Sequence, residues 1–192
     1  LGRVIDARGN PIDGLGPITN GVRFPIHNEP VPALKRCLID QSMSTGVRAI
    51  DGVLTTGRGQ RLGMFSGSGV GKSTLLGMIA KNTDLPIRVI ALIGERGREV
   101  REFLERDLGP KGLQNTVVVV ATSDEAAVSR IRAANVATSI AEWFRNSGKD
   151  VLLMVEQGTL SAGHARSLVG LNNSLEIAKK IIQKKLSVRQ SE

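Results

Sequence analysis

The chain is poor in aromatic residues. Of its 192 residues none is tyrosine, one is tryptophan and four are phenylalanine. Proteins that hold single-stranded nucleic acid stack the bases on aromatic side chains, so this composition disfavours that class of function, and we expect no nucleic-acid partner. The formal net charge of +8 is spread along the chain. It indicates ligands that carry phosphate, or a partner with an acidic surface.

Cysteine is equally scarce, since Cys37 is the only one. An internal disulfide is therefore excluded, and a reducing compartment is expected. The sequence also lacks a signal peptide and any apolar run of the roughly 18 to 20 residues that span a bilayer. These absences predict a soluble cytoplasmic protein, at most peripheral at the inner face of the cytoplasmic membrane. Because the sequence opens at Leu1 in what reads as continuing structure, we expect it to be part of a longer protein.

A glycine-rich loop is the most informative stretch that the sequence does contain. Residues 61–76 read Arg-Leu-Gly-Met-Phe-Ser-Gly-Ser-Gly-Val-Gly-Lys-Ser-Thr-Leu-Leu. The glycines let the backbone turn its N–H groups around an anion, and the helix that follows directs its positive dipole end to the same point. Lys72 can reach terminal phosphates, and the Ser73 hydroxyl is of the kind that binds Mg²⁺. The residues predicted to form this phosphate-binding loop are Ser66, Gly67, Ser68, Gly69, Val70, Gly71, Lys72, Ser73 and Thr74.

The loop departs at one position from the strict pattern G-x-x-x-x-G-K-[ST], because Ser66 replaces the first glycine. A small residue suffices there if the turn needs no positive φ. The plainer interpretation is a glycine-rich turn that only joins a strand to a helix. That interpretation leaves Lys72 and Ser73 at the start of the helix unexplained, so we favour phosphate binding.

Apolar runs suited to buried strands alternate with helical patterns from residue 60 onward. The predicted strands are 60–65, 87–93, 116–121 and 151–155, and the predicted helices are about 71–81, 96–107 and 124–146. Thr122 and Glu125 are spaced as a capping box at the start of the third helix. This alternation predicts an α/β fold, a parallel sheet with helices on both faces. Ligands of such sheets bind beyond the carboxyl ends of the strands.

Charged residues follow two of the predicted strands at that edge. Glu95 can orient or deprotonate an attacking water, and Arg96 can grip a terminal phosphate through two parallel hydrogen bonds. Glu156, after the fourth strand, fits a second acidic element that holds Mg²⁺ through water. The plainer interpretation of the charges after Glu95 is a solvated helix start with i,i+3 and i,i+4 ion pairs. Both interpretations can hold together.

The chain divides into three predicted parts. Residues 1–32 are rich in turn signals and form a junction segment with short β elements, residues 33–171 form an incomplete nucleotide-binding domain, and residues 172–192 form a divergent basic helical tail. The tail has an apolar stripe with lysines on the opposite side. That pattern fits a helix that covers the domain better than a helix on a membrane surface.

Several stretches together resemble the flagellar protein-export ATPases, which belong to a wider group with the type III secretion ATPases and the rotary ATPase β-subunits. The likeness runs from residue 1 to about Val155, and residues 2–6 and 11–14 are similar to the family's junction between an N-terminal barrel and the nucleotide domain. The other matching stretches are 45–52, 57–61, 66–78, 93–103 (Ile-Gly-Glu-Arg-Gly-Arg-Glu-Val-Arg-Glu-Phe) and 118–124. Among the subfamilies, residues 97–102 and 148–154 favour flagellar export over an injectisome.

The resemblance implies a RecA-like domain that works in a six-membered ring. It implies ATP and Mg²⁺ as ligands, and ATP hydrolysis that powers protein export through the flagellar type III secretion apparatus, with export-apparatus proteins and export substrates as partners. By the same resemblance, Lys72 grips the β and γ phosphates, Glu95 is the catalytic carboxylate and Arg96 contacts a phosphate. The implied metal site consists of Ser73, Glu99 and Glu156.

The resemblance weakens after the fourth strand. The family has Asp-Ser-Leu/Val-Thr-Arg there, whereas residues 156–160 read Glu-Gln-Gly-Thr-Leu. Glu156 keeps the charge but adds a methylene, and Leu160 stands where the family has arginine. The family's adenine-stacking aromatic residue and arginine finger belong to a part that this sequence does not match. We therefore expect this chain by itself to hydrolyse ATP poorly, as a truncated or frame-shifted product would.

Three alternatives stay open. The first is the same role in an injectisome. The second, from another class, is a nucleotide-binding or interaction fragment without catalysis. The third is a ring-shaped RNA or DNA motor, which needs a basic, aromatic-bearing loop along its pore, and the sequence offers no such loop.

Overall fold

A computed structural model describes residues 1–64 and 70–157 of the chain. The strands are β1 (Arg3–Asp6), β2 (Ser42–Met43), β3 (Thr56–Gly57), β4 (Ile87–Ile93), β5 (Thr116–Ala121) and β6 (Val151–Gln157). The α-helices are α1 (Arg48–Val53), α2 (Lys72–Asn82), α3 (Gly97–Glu102), α4 (Gly109–Leu113) and α5 (Ala127–Asn146). A 3-10 turn lies at Ala33–Lys35, and a π-helical segment, Phe103–Leu108, joins α3 to α4.

Four strands form a parallel sheet in the order β1-β5-β4-β6. Every residue of β4 and β5 is buried, as expected for central strands that are covered on both faces. The predicted strands 87–93 and 116–121 are confirmed with the same bounds, and the predicted strand 151–155 extends to Gln157. β2 and β3 pair separately in a short antiparallel hairpin.

Helices cover both faces of this sheet, as predicted. On one face, Leu76 and Ile79 of α2 and Phe103 of the π-helical segment share a core with Ile90 and Leu92 of β4. On the opposite face, α5 supplies small side chains to the second core. Ala133 and Ala137 are buried there with Val89 and Ala91, so the helix can lie close to the strands. The first core fixes the position of α2 relative to the carboxyl ends of the strands.

The predicted strand at 60–65 is wrong for residues 60–64, which belong to no strand. Residue 65 lies outside the described residues. An apolar run predicts burial, but a strand also needs a neighbour that satisfies its backbone N–H and C=O groups. Leu62 keeps 57 % and Met64 keeps 38 % of its surface exposed. Within the described part of the chain, no strand pairs with residues 60–64 and no element buries them.

The first strand joins the main sheet. β1 pairs in parallel with β5, with Val4 opposite Val118 and Ile5 opposite Val119. This part of the predicted junction segment 1–32 therefore adds an edge strand to the nucleotide-binding fold. The predicted boundary near residue 171 and the predicted helical tail 172–192 lie outside the described residues.

Two helices differ from their predicted bounds. The predicted helix 96–107 continues through the π-helical segment to Leu113. The helix predicted from residue 124 begins at Ala127, and its N-cap residue Ala126 makes no side-chain capping bond. The predicted capping box is therefore wrong, and the bond from the Thr122 N–H to the Glu125 carboxylate, at 3.0 Å, lies in the loop before the helix. In residues 1–64 and 70–157, no helix is long and apolar enough to cross a membrane.

Gly46 permits a close contact between the chain before α1 and the end of α2. Its φ is +71°, and a Cβ at this position would lie 2.2 Å from Asn82 Cβ and 2.6 Å from Asn82 O. We expect Gly46→Ala to lower the free energy of unfolding by about 2 to 4 kcal/mol, because a left-handed alanine and a steric clash combine. Urea denaturation measures this change.

The matched control is Gly52→Ala in α1, where nothing lies within 4 Å of the added Cβ and φ is not positive. This control should leave stability unchanged or raise it by roughly 0.4 to 1 kcal/mol. A Gly46→Ala variant as stable as the wild type would contradict the close contact with Asn82.

The Asp51 carboxylate organises the turn that leads into α1. It accepts the Thr45 hydroxyl at 2.6 Å, the N–H groups of Thr45 and Gly46 at 2.8 and 3.0 Å, and the Ser44 hydroxyl at 2.8 Å. These bonds, the Thr45 hydroxyl first among them, lower the pKa of Asp51 from 3.8 to about 2. Because the folded pKa is depressed, the stabilisation is present above pH 3.8 and is lost as the pH falls toward 2.

Asp51→Asn should therefore be less stable than the wild type near neutral pH, and the difference should shrink as the pH falls below about 4. Urea unfolding midpoints at a series of pH values measure this difference. Asp40→Asn, at an exposed position, removes the same charge and should show no such trend. A difference that is independent of pH would mean that the Asp51 charge does not stabilise the turn.

Candidate active site

The carboxyl ends of β4 and β5 are joined by backbone hydrogen bonds just where charged residues follow. Gly94, with φ 75°, donates its N–H to Ala121 O at 2.7 Å, and Ser123 donates its N–H to Glu95 O at 2.9 Å. The loop after β5 therefore holds the loop after β4. Glu95 is fixed at the edge of the sheet, where parallel strands present ligand sites.

The N-terminus of α2 lies in the same region. The helix starts at Lys72, and its N-cap residue Gly71 has a left-handed φ of 94°. No acidic side chain lies in its first turn, and within the described part of the chain no side chain caps this end. The helix dipole and the first-turn N–H groups favour an anion at such an end.

Glu156 connects β6 to this helix N-terminus. Its Oε1 accepts the Ser73 hydroxyl at 3.0 Å and lies 3.3 Å from Lys72 Nζ. The Glu156 side chain keeps only 3 % of its surface exposed, whereas Lys72 keeps 27 %. The geometry thus brings together one ammonium, one hydroxyl and one buried carboxylate from two elements that are distant in sequence.

The carboxyl group of Glu95 is a weaker acid than an ordinary glutamate side chain. Burial and the neighbouring Glu99 carboxyl, together with the negative charge of Glu156, raise its pKa to about 7, against the opposing effect of the Lys72 charge. The charges of both Lys72 and Glu156 thus act on Glu95. A carboxyl group with a pKa near neutrality can accept or release a proton under working conditions.

Arg96 and Glu99 lie on the solvent side of this site. They pair with each other at 3.4 Å, and their side chains are 81 % and 48 % exposed. Two further pairs of the expected i,i+4 spacing follow along the helix, Arg101 with Glu105 and Glu102 with Arg106. The plainer interpretation, a solvated helix start with ion pairs, therefore describes the contacts of this stretch.

The predicted phosphate-binding loop is only partly described. Ser66, Gly67, Ser68 and Gly69 lie outside the described residues. Val70 and Thr74 are exposed, Lys72 and Ser73 are half-buried, and Gly71 supplies the positive φ. The sequence did not reveal the ion pair between Lys72 and Glu156, because no local pattern links a strand end to a helix start so far away along the chain.

The oxygen atoms at this site fit a small divalent cation. The Ser73 hydroxyl and the Glu156 carboxylate are hard oxygen donors, and they already lie within hydrogen-bond distance of each other. Mg²⁺ is usually held by one or two protein oxygens together with water and substrate phosphates. The two oxygen donors at this site therefore suit Mg²⁺ bound along with a phosphate ligand. Among the described residues, no three His, Cys, Asp or Glu side chains form a metal cage.

Residues 46–178 match the sequence model of the ATP synthase alpha/beta family, nucleotide-binding domain. The chain belongs to this family. It is 51 % identical over 174 residues to the flagellum-specific ATP synthase of Bacillus subtilis (strain 168). That alignment covers 88 % of this chain and 38 % of the Bacillus protein. The chain is also 51 % identical over 168 residues to the type 3 secretion system ATPase of Xanthomonas euvesicatoria, with the same two coverages.

Solved structures of relatives share the fold. The ATPase EscN of the enteropathogenic E. coli type III secretion system, assembled in complex with its central stalk EscO, gives a TM-score of 0.76 at 51 % identity. That match covers 89 % of this chain and 42 % of the EscN chain. A prototypical ATPase from the type III secretion system of pathogenic bacteria gives 0.77 at 45 % identity, over 96 % of this chain and 56 % of that one.

These matches confirm the family resemblance and the RecA-like fold predicted from the sequence. The family model extends to residue 178, so the predicted end of the likeness near Val155 is wrong. The chain spans 38 % of the length of the two curated relatives. The matched region includes all of α2, β4, β5 and β6, and therefore the described part of the site.

Proposed function

We propose that the chain binds and hydrolyses Mg·ATP as the nucleotide-binding domain of a type III protein-export ATPase, and that its role is flagellar. The observation that carries this proposal is the position of Lys72 and Ser73. They lie at the uncapped N-terminus of α2, within 3.3 and 3.0 Å of the Glu156 carboxylate at the end of β6. This arrangement places a cation, helix N–H groups and oxygen donors around one point at the sheet edge.

Each residue has a distinct part in binding. The terminal phosphates lie against the N-terminus of α2, where Lys72 supplies the cationic contact and the first-turn N–H groups supply hydrogen bonds. Ser73 and Glu156 hold Mg²⁺, with Glu99 as a support for its waters. The cation, when bound, offsets the negative charge of the phosphates. Ser66, Gly67, Ser68, Gly69, Val70, Gly71 and Thr74 complete the loop.

Glu95 takes the part of the catalytic carboxylate. It follows β4 directly, it is half-buried, and the bond from Ser123 to its carbonyl holds its backbone beside the end of β5. From there it can orient a water for attack on the terminal phosphate. Arg96 is exposed, and its proposed contact with a phosphate requires its side chain to leave Glu99.

Relatives support the assignment to protein export. The Bacillus and Xanthomonas proteins are equally identical to the chain, and one is flagellar while the other belongs to a secretion system. We prefer the flagellar role because of residues 97–102 and 148–154, and an injectisome role is the second candidate, which the Xanthomonas relative favours. A hexameric cytoplasmic ring with export-apparatus partners follows by analogy with the assembled EscN and its stalk EscO.

Lys72→Ala should weaken the binding of Mg·ATP by about a hundredfold, because a hydrogen bond to a charged group contributes roughly 1.5 to 3 kcal/mol. Isothermal titration calorimetry measures the affinity. Lys81→Ala, at the opposite end of α2, removes the same charge from a side chain whose ammonium donates to Arg106 O. This control should bind as tightly as the wild type. Unchanged affinity in Lys72→Ala would contradict the phosphate contact.

Glu95→Gln should leave the affinity for Mg·ATP within about threefold and slow phosphate release by about a hundredfold, the lower end of what loss of a general base causes. Single-turnover hydrolysis with excess protein, followed over hours, detects the slow wild-type rate. Glu105→Gln, an exposed position on the adjoining π-helical segment, is the matched control. If Glu95→Gln hydrolyses ATP at the same measurable rate as the wild type, another group activates the water. If neither protein hydrolyses ATP, the domain binds ATP without catalysing its hydrolysis.

A further inference from the structure

One oxygen of Glu156 contacts both Lys72, which the proposed function assigns to the phosphates, and Ser73, which it assigns to Mg²⁺. Oε1 accepts the Ser73 hydroxyl at 3.0 Å and lies 3.3 Å from the Lys72 ammonium. The carboxylate is almost fully buried at 3 % exposure. A buried carboxylate depends on its ion-pair and hydrogen-bond partners, because an unpaired charge away from water is strongly unfavourable.

In the proposed function Mg·ATP needs the same two side chains, Lys72 for its terminal phosphates and Ser73 for its Mg²⁺. Lys72 is the one cation within salt-bridge distance of Glu156 among the described residues, and it is also the cation proposed to hold the phosphate. A phosphate can contact Lys72 fully only if the ammonium leaves Glu156. ATP without Mg²⁺ brings its whole negative charge beside this carboxylate, and also beside Glu95. Mg·ATP carries less negative charge, so electrostatic repulsion opposes its binding less.

We propose that Glu156 is an internal competitor for the phosphate site, which occupies Lys72 and Ser73 in the free protein and makes nucleotide binding depend on Mg²⁺. The extra methylene of glutamate lets the carboxylate reach Lys72 while it still accepts the Ser73 hydroxyl. The inference rests on the proposed function, since it assumes that phosphates bind at Lys72. It makes the identity of residue 156 a determinant of which form of ATP binds.

Two substitutions separate competition from simple repulsion. Glu156→Gln removes the charge and keeps the length of the side chain, whereas Glu156→Asp keeps the charge and withdraws it from Lys72 by one methylene. The control is Asp150→Asn, which removes one negative charge at the start of β6, where Asp150 pairs with Arg58 outside the site. Thermal melts by circular dichroism establish that each variant is folded, and calorimetry measures binding of ATP with EDTA and of Mg·ATP.

Competition predicts that Glu156→Gln tightens the binding of Mg²⁺-free ATP by roughly ten- to a hundredfold, the size of one charged hydrogen bond. Glu156→Asp should tighten it by about threefold or more, since the contact with Lys72 lengthens. For both variants the ratio of the affinity for Mg·ATP to the affinity for Mg²⁺-free ATP should be smaller than in the wild type. Asp150→Asn should change neither affinity by more than about twofold.

The remaining outcomes overturn the inference in different ways. If only Glu156→Gln gains affinity, Glu156 repels the nucleotide without occupying Lys72. If neither variant gains affinity while the wild type binds Mg·ATP, the competition is absent and the proposed function stands. If neither the wild type nor any variant binds Mg·ATP at millimolar concentration, the phosphate site is wrong and the inference fails with it.

Discussion

The site depends on one contact between two secondary-structure elements, the buried Glu156 carboxylate of β6 held by Lys72 and Ser73 of α2. Neither element reaches this position alone. The apolar core between α2 and the sheet sets the position of the helix relative to the strands. The pairing of β6 with β4 places Glu156 opposite Leu92 and so sets the position of Glu156 at the sheet edge. The Glu156 carboxylate is only 3 % exposed, and its burial is stable because Lys72 and Ser73 pair with it. The packing of α2 on the sheet and the contacts of the site therefore depend on each other.

The sequence predicts the parts of this fold in which local pattern and burial agree. β4 and β5 are apolar apart from Arg88 and Thr116 and have many β-branched residues, and both strands occur with their predicted bounds. Residues 60–64 include Gln60, Arg61 and Gly63, and in the described part of the chain they pair with no strand. Strand formation depends on a pairing partner, which composition does not encode. For the same reason, β1 reads as a junction in the sequence and pairs with β5 in the sheet.

The site was predictable in its members but not in its contacts. The spacing of Gly71, Lys72 and Ser73 indicates a phosphate-binding helix start, and Glu95 and Glu156 follow predicted strands. The sequence gives no distance between Lys72 and Glu156, so it presents Glu156 only as a metal ligand. In three dimensions the same carboxylate also pairs with Lys72, and its charge adds to burial and the Glu99 carboxyl in raising the pKa of Glu95. The contact with Lys72 therefore became visible only in the folded structure.

The central claim is that terminal phosphates bind at the N-terminus of α2, and backbone-amide NMR tests it most directly. The chain is titrated with Mg²⁺ and inorganic tripolyphosphate, and separately with adenosine. The account predicts that tripolyphosphate shifts the amide resonances of Gly71, Lys72 and Ser73 saturably, because their N–H groups face the anion, and that adenosine leaves them unchanged. The claim would be contradicted if these three resonances stayed in place while tripolyphosphate bound and shifted other parts of the spectrum.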